Sequence, residues 1–162
     1  MFATIYRFLI FPKKCACGHR NDLQHATTCR KGGFQIGHHD HTVAIWTDLL
    51  FASGARDIRR EVQVNVDAGI PGNYDSPQLR SDFSAVDDNG HTTHFDVTNI
   101  NTIAPTHLWK DSKPVYKYTE TQKERKYQLV RDGLKQDFIP LVHNSITGLP
   151  QLKAQKLFKK LV

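Results

Sequence analysis

The fold is decided by residues 80–100, which read RSDFSAVDDNGHTTHFDVTNI. Two runs in this stretch, over 81–86 and 92–100, predict strands. The Asp87-Asp88-Asn89-Gly90 segment separates them, and an Asn-Gly turn between apolar runs is a strong hairpin signal. We therefore expect these two strands to pair side by side.

The segment before this hairpin predicts one helix and one strand. Apolar residues recur near helical spacing over 38–53, and Gly54 supplies a stop. Strict alternation of polar and apolar residues over 61–66 predicts a half-buried strand. The glycines and prolines of residues 67–79 then predict a loop.

The segment after the hairpin predicts a helix, a strand and a helix. The first helix covers 119–134, with Thr119 as its cap and Gly133 near its end. A short buried strand follows over 138–142, where Pro140 indicates a sheet edge or a strand end. Pro150 opens a final amphipathic helix, which has Leu152 among its apolar residues. The complete order, α-β-β-β-α-β-α, predicts an α/β fold with a small mixed sheet.

Composition allows one hydrophobic core and a small appended module. The chain has 162 residues, and 39% of them are hydrophobic, which argues against disorder. We expect a zinc-knuckle module over 1–33 and a main domain over 34–162. The mean hydropathy is −0.50, and no apolar run reaches about 18 residues, so we expect no membrane span and no membrane partner. The opening residues also lack the basic lead-in of a signal peptide.

Charge is distributed unevenly along the chain. The formal net charge is +6, yet residues 61–111 hold eight acidic residues against two basic ones. An acidic middle between basic ends suits a metal-dependent enzyme that acts on a polyanion, because carboxylates bind cations and basic flanks bind phosphates. Ordinary solvated surface charge is the alternative.

All three cysteines lie close together near the N-terminus. Cys15, Cys17, His25 and Cys29 have the spacing Cys-x-Cys-x7-His-x3-Cys. Three thiolates and one imidazole fill a tetrahedral Zn²⁺ site and leave no open position, so the sequence predicts a structural zinc. His19 is a rival ligand, and three buried free thiols are the alternative. An odd cysteine count also argues against a disulfide framework and for a reducing compartment.

Two aspartates flank the predicted hairpin turn. Asp82 and Asp96 lie on its two strands, so the turn would bring their carboxylates together. Such a pair suits a hard divalent cation, which can activate water and offset charge on a phosphoryl group. Two acids on exposed faces of a hairpin are the alternative.

Basic residues follow on the next predicted helix, at Lys123, Arg125 and Lys126, beside Tyr127. An ammonium group there could orient the attacking water or stabilise developing negative charge. A solvated basic helix face is the alternative reading of the same residues.

Histidines are expected mainly at the surface. His38, His39 and His41 begin the first main helix, where contact with phosphate is the alternative. His94 shares a strand face with Asp96, two residues away, and we expect it to be solvated.

The motifs occur in a definite order along residues 15–148: Cys15-Ala16-Cys17-Gly18, His25 and Cys29, then Arg80-Ser81-Asp82, Phe95-Asp96-Val97-Thr98 and Lys123-Glu124-Arg125-Lys126-Tyr127. In this order they resemble the C-terminal portion of site-specific non-LTR retrotransposon proteins of the restriction-like-endonuclease type. In that family a Cys/Cys/His/Cys knuckle precedes a nuclease domain.

The resemblance implies a restriction-endonuclease-like core that nicks DNA using Mg²⁺, inside the cell and in the nucleus, with RNA as an alternative partner. It further implies a role for six residues: Asp82 and Asp96 as metal ligands, Lys123 as the catalytic lysine with Lys126 as its rival, Tyr127 close by, and Glu61 as a further acid on the first core strand.

Three features depart from the family pattern. Ser81 stands where a proline is usual. Thr98 stands where many relatives have the lysine, which moves that role to the following helix. No reverse transcriptase precedes the region, so we expect a fragment or a stand-alone descendant. Two other functions stay open: a binding module without turnover, and a structural zinc domain for protein contacts.

Overall fold

The computed structural model describes residues 13–29, 31, 34–64, 79–102, 104, 106–107 and 111–161. Most of the predicted loop over 67–79 and the end of the predicted strand over 61–66 lie outside these residues. The described elements are, in order, α1 (Leu23–Thr28), α2 (Phe34–Ala52), β1 (Arg56–Gln63), β2 (Arg80–Val86), β3 (Thr92–Ile100), α3 (Ser112–Lys126), α4 (Gln128–Leu134), β4 (Asp137–Asn144) and α5 (Leu152–Leu161).

One four-stranded sheet forms the centre, in the order β1-β2-β3-β4. The first three strands are antiparallel, and β4 runs parallel to β3. A parallel pair needs a crossover connection, which α3 and α4 provide. The predicted mixed α/β fold with a small mixed sheet is therefore confirmed. The edge position of the strand that contains Pro140 is confirmed too.

The predicted hairpin joins β2 to β3. The Asp87 carboxylate closes its turn by accepting hydrogen bonds from the backbone N–H groups of Asn89 at 2.9 Å and His91 at 2.8 Å. Gly90 adopts a φ of 79°, a left-handed conformation that glycine reaches without steric cost. The strand bounds follow the sequence prediction because this signal is local.

The first strand differs from its prediction, which began at Glu61. Pairing with β2 starts five residues earlier, at Arg56 opposite Val86, and ends at Gln63 opposite Arg80. The register shifts between Arg56 and Arg59, which marks a bulge. Residues 56–60 are mostly exposed and charged, so the alternation over 61–66 revealed only the end of this strand. Pairing with β2 defines its start.

The predicted single helix over 119–134 is two helices. The first begins at residue 112, where the Asp111 carboxylate caps it by accepting from the Lys113 N–H at 3.1 Å. Thr119 therefore lies inside this helix and is not its cap. Tyr127, fully buried, has non-helical torsions (φ −99°, ψ 16°) and separates α3 from α4. The helix breaks because burial of this side chain outweighs local helix propensity.

The main core lies between the sheet and the helices α2 and α5. Phe83 and Phe95 stack across the hairpin with ring centroids 4.7 Å apart, and Trp46 of α2 packs in the same cluster. Leu157, Phe158 and Leu161 of α5 cover it as predicted, whereas Leu152 is exposed. No helix in the described part of the chain is long and apolar enough to cross a bilayer.

Helix α2 is fixed to β4 by a buried histidine. The Trp46 Nε1–H donates to His143 Nε2 at 2.7 Å, so His143 carries its proton on Nδ1, which faces the Gly148 carbonyl at 3.4 Å. Burial lowers the pKa of His143 to about 4. Both nitrogens are used by the neutral ring, and protonation would break the bond to Trp46.

We expect acid to destabilise the protein through His143. Its folded-state pKa of about 4 lies below the unfolded value of about 6.5, so the unfolded chain binds the proton first. This contribution to stability is complete above pH 6.5 and decreases as the pH falls towards 4, by roughly 2 kcal/mol at pH 5. Urea unfolding at pH 7.5 and pH 5 measures it. His143→Gln should flatten this pH dependence, whereas the exposed His91→Gln should retain it; an equal slope in all three proteins would contradict the prediction.

Candidate functional site

The predicted zinc ligands come together. The ligand atoms of Cys15, Cys17, His25 and Cys29 all lie within 4.8 Å of one another. Cys15 Sγ is 3.6 Å from Cys29 Sγ, and tetrahedral zinc with bonds of about 2.3 Å places two sulfurs about 3.8 Å apart. The Cys17 Sγ to His25 Nε2 distance is 3.1 Å. The donor set and its spacing therefore fit Zn²⁺.

The local chain conformation explains this cluster. A tight turn joins the first two cysteines, in which the Gly18 N–H donates to the Cys15 carbonyl at 2.8 Å and Gly18 has a φ of 90°. Asp22 then caps α1 by accepting from the His25 N–H at 2.8 Å. Because α1 begins there, His25 and Cys29 lie one helical turn apart. Both face the tight turn that carries Cys15 and Cys17.

The rival ligand His19 lies at the margin of the cluster. Its Nδ1 is 3.5 Å from Cys17 Sγ, and its ring stacks on that of His25, but it is not part of the mutually close group. A backbone hydrogen bond from Cys17 lowers the pKa of the Cys15 thiol, but desolvation and the facing thiols outweigh it and raise the pKa overall. Zinc binding would release these protons.

The segment that carries the Cys₃His cluster, residues 13–29, packs directly on residues that follow it in the chain. Thr27, between two ligands, is buried; its carbonyl accepts from Gln35 Nε2 at 2.9 Å and its hydroxyl from Asn101 Nδ2 at 2.8 Å. These bonds join α1 to the start of α2 and to the residue after β3. The predicted boundary near residue 33 stays a prediction, and the contacts show that the two parts meet through specific hydrogen bonds.

Asp82 lies at the start of β2 and contacts two other elements. Its Oδ2 accepts the backbone N–H of Val97 at 2.5 Å, which is the residue next to Asp96 on the neighbouring strand. His39 Nε2 of α2 is 3.1 Å from the same oxygen. The carboxylate therefore replaces a backbone carbonyl as the acceptor for the Val97 N–H, at the point where the β2–β3 pairing ends.

Asp96 is buried, and both of its oxygens have partners from the helical crossover. Lys123 Nζ is 2.6 Å from Oδ2, and the Tyr127 hydroxyl is 2.9 Å from Oδ1. Lys123 and Tyr127 are four residues apart, a spacing that places side chains on one helix face. The Thr98 hydroxyl approaches Oδ2 at 3.4 Å.

Tyr127 connects the two aspartates electrostatically. Burial raises the pKa of its hydroxyl, and the charges of Asp96 and Asp82 together with the hydrogen bond to Asp96 raise it further. The single hydroxyl proton is shared between Asp96 and the Arg80 carbonyl, which contacts the same oxygen. Tyr127 therefore stays protonated as a hydrogen-bond donor that orients Asp96, and it is not a base.

Two predicted site residues lie apart from this group. Lys126 is exposed, and its ammonium lies 5.1 Å from the centroid of the Tyr127 ring, so its described contact is with the aromatic face. Glu61 stands on β1 opposite Asp82 in the register, but its exposed carboxylate forms an ion pair with Arg80. The structure thus brings Lys123, and not Lys126, to Asp96.

A cleft of about 340 Å³ is lined by His39, Val97 and Lys123, which contact the aspartates, whereas Asp82 and Asp96 do not line it themselves. Its walls come from α1 and α2, from the end of β3, from α3 and from the turn after β4; they include Thr27, Phe34, His39, Thr98, Asn99 and Lys123. Thr27, from the segment with the Cys₃His cluster, and residues of α2, β3 and α3 therefore line one cavity, which has a lysine in its wall.

Two histidines occupy places that the sequence did not indicate. His39 contacts Asp82, although we expected the α2 histidines mainly at the surface. His94 is buried rather than solvated: its Nδ1 lies 3.1 Å from Ser81 Oγ and its Nε2 2.9 Å from Gln136 Oε1. The sequence predicted that His94 shares a strand face with Asp96, two residues away. It did not indicate that the helical crossover covers this face and buries His94.

Among the described residues, the cysteine–histidine cluster is the only group of three or more Cys, His, Asp or Glu side chains whose ligand atoms are all within 4.8 Å. Asp82, Asp96 and His39 do not meet that criterion together. No known family model matches this chain, and no curated protein is significantly similar to it. What the fold and site define is a mixed α/β protein with a Cys₃His cluster that could bind zinc.

Proposed function

We propose that this protein is a Mg²⁺-dependent nuclease that nicks DNA. The observation that carries the proposal is the position of Asp82 and Asp96 on the neighbouring strands β2 and β3: Asp82 accepts from the Val97 N–H beside Asp96, and the Lys123 ammonium is 2.6 Å from Asp96 Oδ2. Carboxylates can hold the metal ion, and an ammonium can stabilise the developing charge, in metal-dependent phosphodiester hydrolysis. The helix, three antiparallel strands, helical crossover and parallel strand also have the order that the resemblance to restriction-like endonucleases implies.

The donor set fits a hard cation. Mg²⁺ is commonly bound by one or two carboxylates and keeps several waters, and Asp82 and Asp96 are the residues that would hold it. A bound Mg²⁺ would activate water and offset charge on the phosphoryl group. Asp82 is fixed for this by the Val97 N–H, and Asp96 by Tyr127.

Hydrolysis requires a water oxygen to bond to phosphorus, one P–O ester bond to break and the leaving oxygen to take up a proton. Lys123 lies in the wall of the cleft, where its ammonium can orient the water or stabilise the added negative charge. The net charge of +6 supports a polyanionic substrate.

A binding module without turnover is the second candidate, and one observation favours it. Both Asp96 oxygens already have partners, and Lys123 would have to share Oδ2 with a cation. In that case the zinc-binding segment and basic flanks would hold DNA or RNA, and Lys123 would serve only to neutralise Asp96.

Supercoiled plasmid in Mg²⁺ tests the proposal. The protein should convert it to the nicked form, and Asp82→Asn should slow this by about 100-fold or more while retaining DNA binding. Asp88→Asn, in the exposed hairpin turn, is the matched control and should cleave normally. Cleavage that survives Asp82→Asn would remove the assignment; salt-sensitive binding without cleavage in any divalent metal would establish the second candidate.

A further inference from the structure

The imidazole of His39 lies between two carboxylates. Its Nε2 is 3.1 Å from Asp82 Oδ2, and its Nδ1 is 3.4 Å from Asp40 Oδ1. A neutral imidazole has one N–H, so it can donate to only one of these oxygens. The other nitrogen then directs a lone pair towards a carboxylate, an arrangement that a proton or a metal cation shared between the two groups would stabilise.

The distance to Asp82 is compatible with a shared cation. Two donors at right angles on an octahedral cation, with bonds of about 2.1 Å, lie about 3.0 Å apart. The observed separation of 3.1 Å between His39 Nε2 and Asp82 Oδ2 matches this value. Asp82 is held in place independently by the Val97 N–H, so a ligand pair would not depend on His39 alone.

Asp40 supplies the outer partner that such a histidine uses. Metal-binding histidines almost always donate their other N–H to a carboxylate, a carbonyl or a water, which fixes the tautomer and leaves the lone pair on the metal-facing nitrogen. Asp40 follows His39 on the same helix, and its carboxylate faces Nδ1 from the solvent side. When the proton is on Nδ1, the lone pair of Nε2 points to the Asp82 side and can bind a cation.

We propose that His39 is a protein ligand of the cation at Asp82 and that the site therefore prefers Mn²⁺ to Mg²⁺. The inference rests on the proposed cation site and adds a residue and a metal preference to it. Imidazole nitrogen is a good donor for first-row transition metals, whereas Mg²⁺ selects oxygen. Mn²⁺ accepts carboxylate oxygen and imidazole nitrogen together, so a nitrogen ligand here shifts the balance towards it.

Manganese binding to the zinc-loaded full chain tests the proposal. The concentration of free Mn²⁺, measured by electron paramagnetic resonance, gives the Mn²⁺ affinity. Displacement of bound Mn²⁺ by added Mg²⁺ then gives the Mg²⁺ affinity. His39→Gln should weaken Mn²⁺ binding about tenfold or more and change Mg²⁺ binding much less. His41→Gln, exposed on the same helix, is the matched control and should bind as the unchanged protein does. Electron spin-echo modulation from ¹⁴N on bound Mn²⁺ should be present in the unchanged protein and absent in His39→Gln.

The outcomes separate this inference from the function on which it rests. Asp82→Asn that leaves Mn²⁺ affinity unchanged would overturn the cation site and the proposed function together. A different set of results would overturn the His39 ligand alone. In that case Asp82→Asn loses Mn²⁺ binding, His39→Gln keeps the Mn²⁺ affinity of the unchanged protein, and neither His39→Gln nor the unchanged protein shows ¹⁴N modulation. That second result would assign the shared charge to a proton.

Discussion

Replacing Lys123 with Met should slow DNA cleavage by about 100- to 1000-fold, the usual effect of losing one group that stabilises charge in the transition state. Lys123 is the lysine whose ammonium touches Asp96, at 2.6 Å. Methionine keeps the length of the side chain and removes its charge. Single-turnover nicking of plasmid measures the rate, and a DNA-binding titration shows whether the loss lies in binding.

Lys126→Met is the matched control on the same helix. Its ammonium lies over the Tyr127 ring rather than at a carboxylate, so the cleavage rate should remain within about threefold of the unchanged protein. If Lys126→Met lowered the cleavage rate as much as Lys123→Met or more, Lys126 would be the catalytic lysine. Normal cleavage by both variants would show that neither lysine takes part in catalysis.

Replacing Cys29 with Ser should remove stoichiometric zinc and unfold the N-terminal segment. Structural zinc supplies about 10–16 kcal/mol of binding free energy in zinc-finger peptides, and a segment this short has little core of its own. Thr27 lies two residues before Cys29 and makes the hydrogen bonds to Gln35 and Asn101, so these contacts should be lost with the metal. Metal analysis and amide hydrogen exchange at residues 22–29 measure both effects.

His19→Gln is the comparison for this experiment, because His19 is the nearest residue outside the mutually close group. It should retain stoichiometric zinc and the exchange protection of α1. Full zinc in Cys29→Ser, or equal loss in both variants, would contradict the assigned ligand set.

Local signals in the sequence predicted the hairpin and the elements it organises. Asn89-Gly90 fixes the turn between the two predicted strands, and from this hairpin the relation of Asp82 to Asp96 follows. The zinc ligands were predictable for the same reason: their spacing is short, and their chemistry is specific.

Contacts between distant parts of the chain were not predictable. His39 and Asp82 are 43 residues apart, and nothing near either residue indicates that they touch. The helix break at Tyr127 arises because the sheet buries its ring against Phe138, with centroids 4.0 Å apart. Local propensity favours an unbroken helix there, and tertiary packing overrides it.

The charged, bulged first strand has a consequence for the behaviour of the protein at high concentration. An uncovered sheet edge presents unpaired N–H and C=O groups to which the edge of another molecule can add. Arg56, Arg59 and Glu61 put charge along this edge, and the bulge with its left-handed residue Asp57 interrupts a regular line of donors and acceptors. The charges and the bulge therefore disfavour the addition of a strand from another molecule along β1.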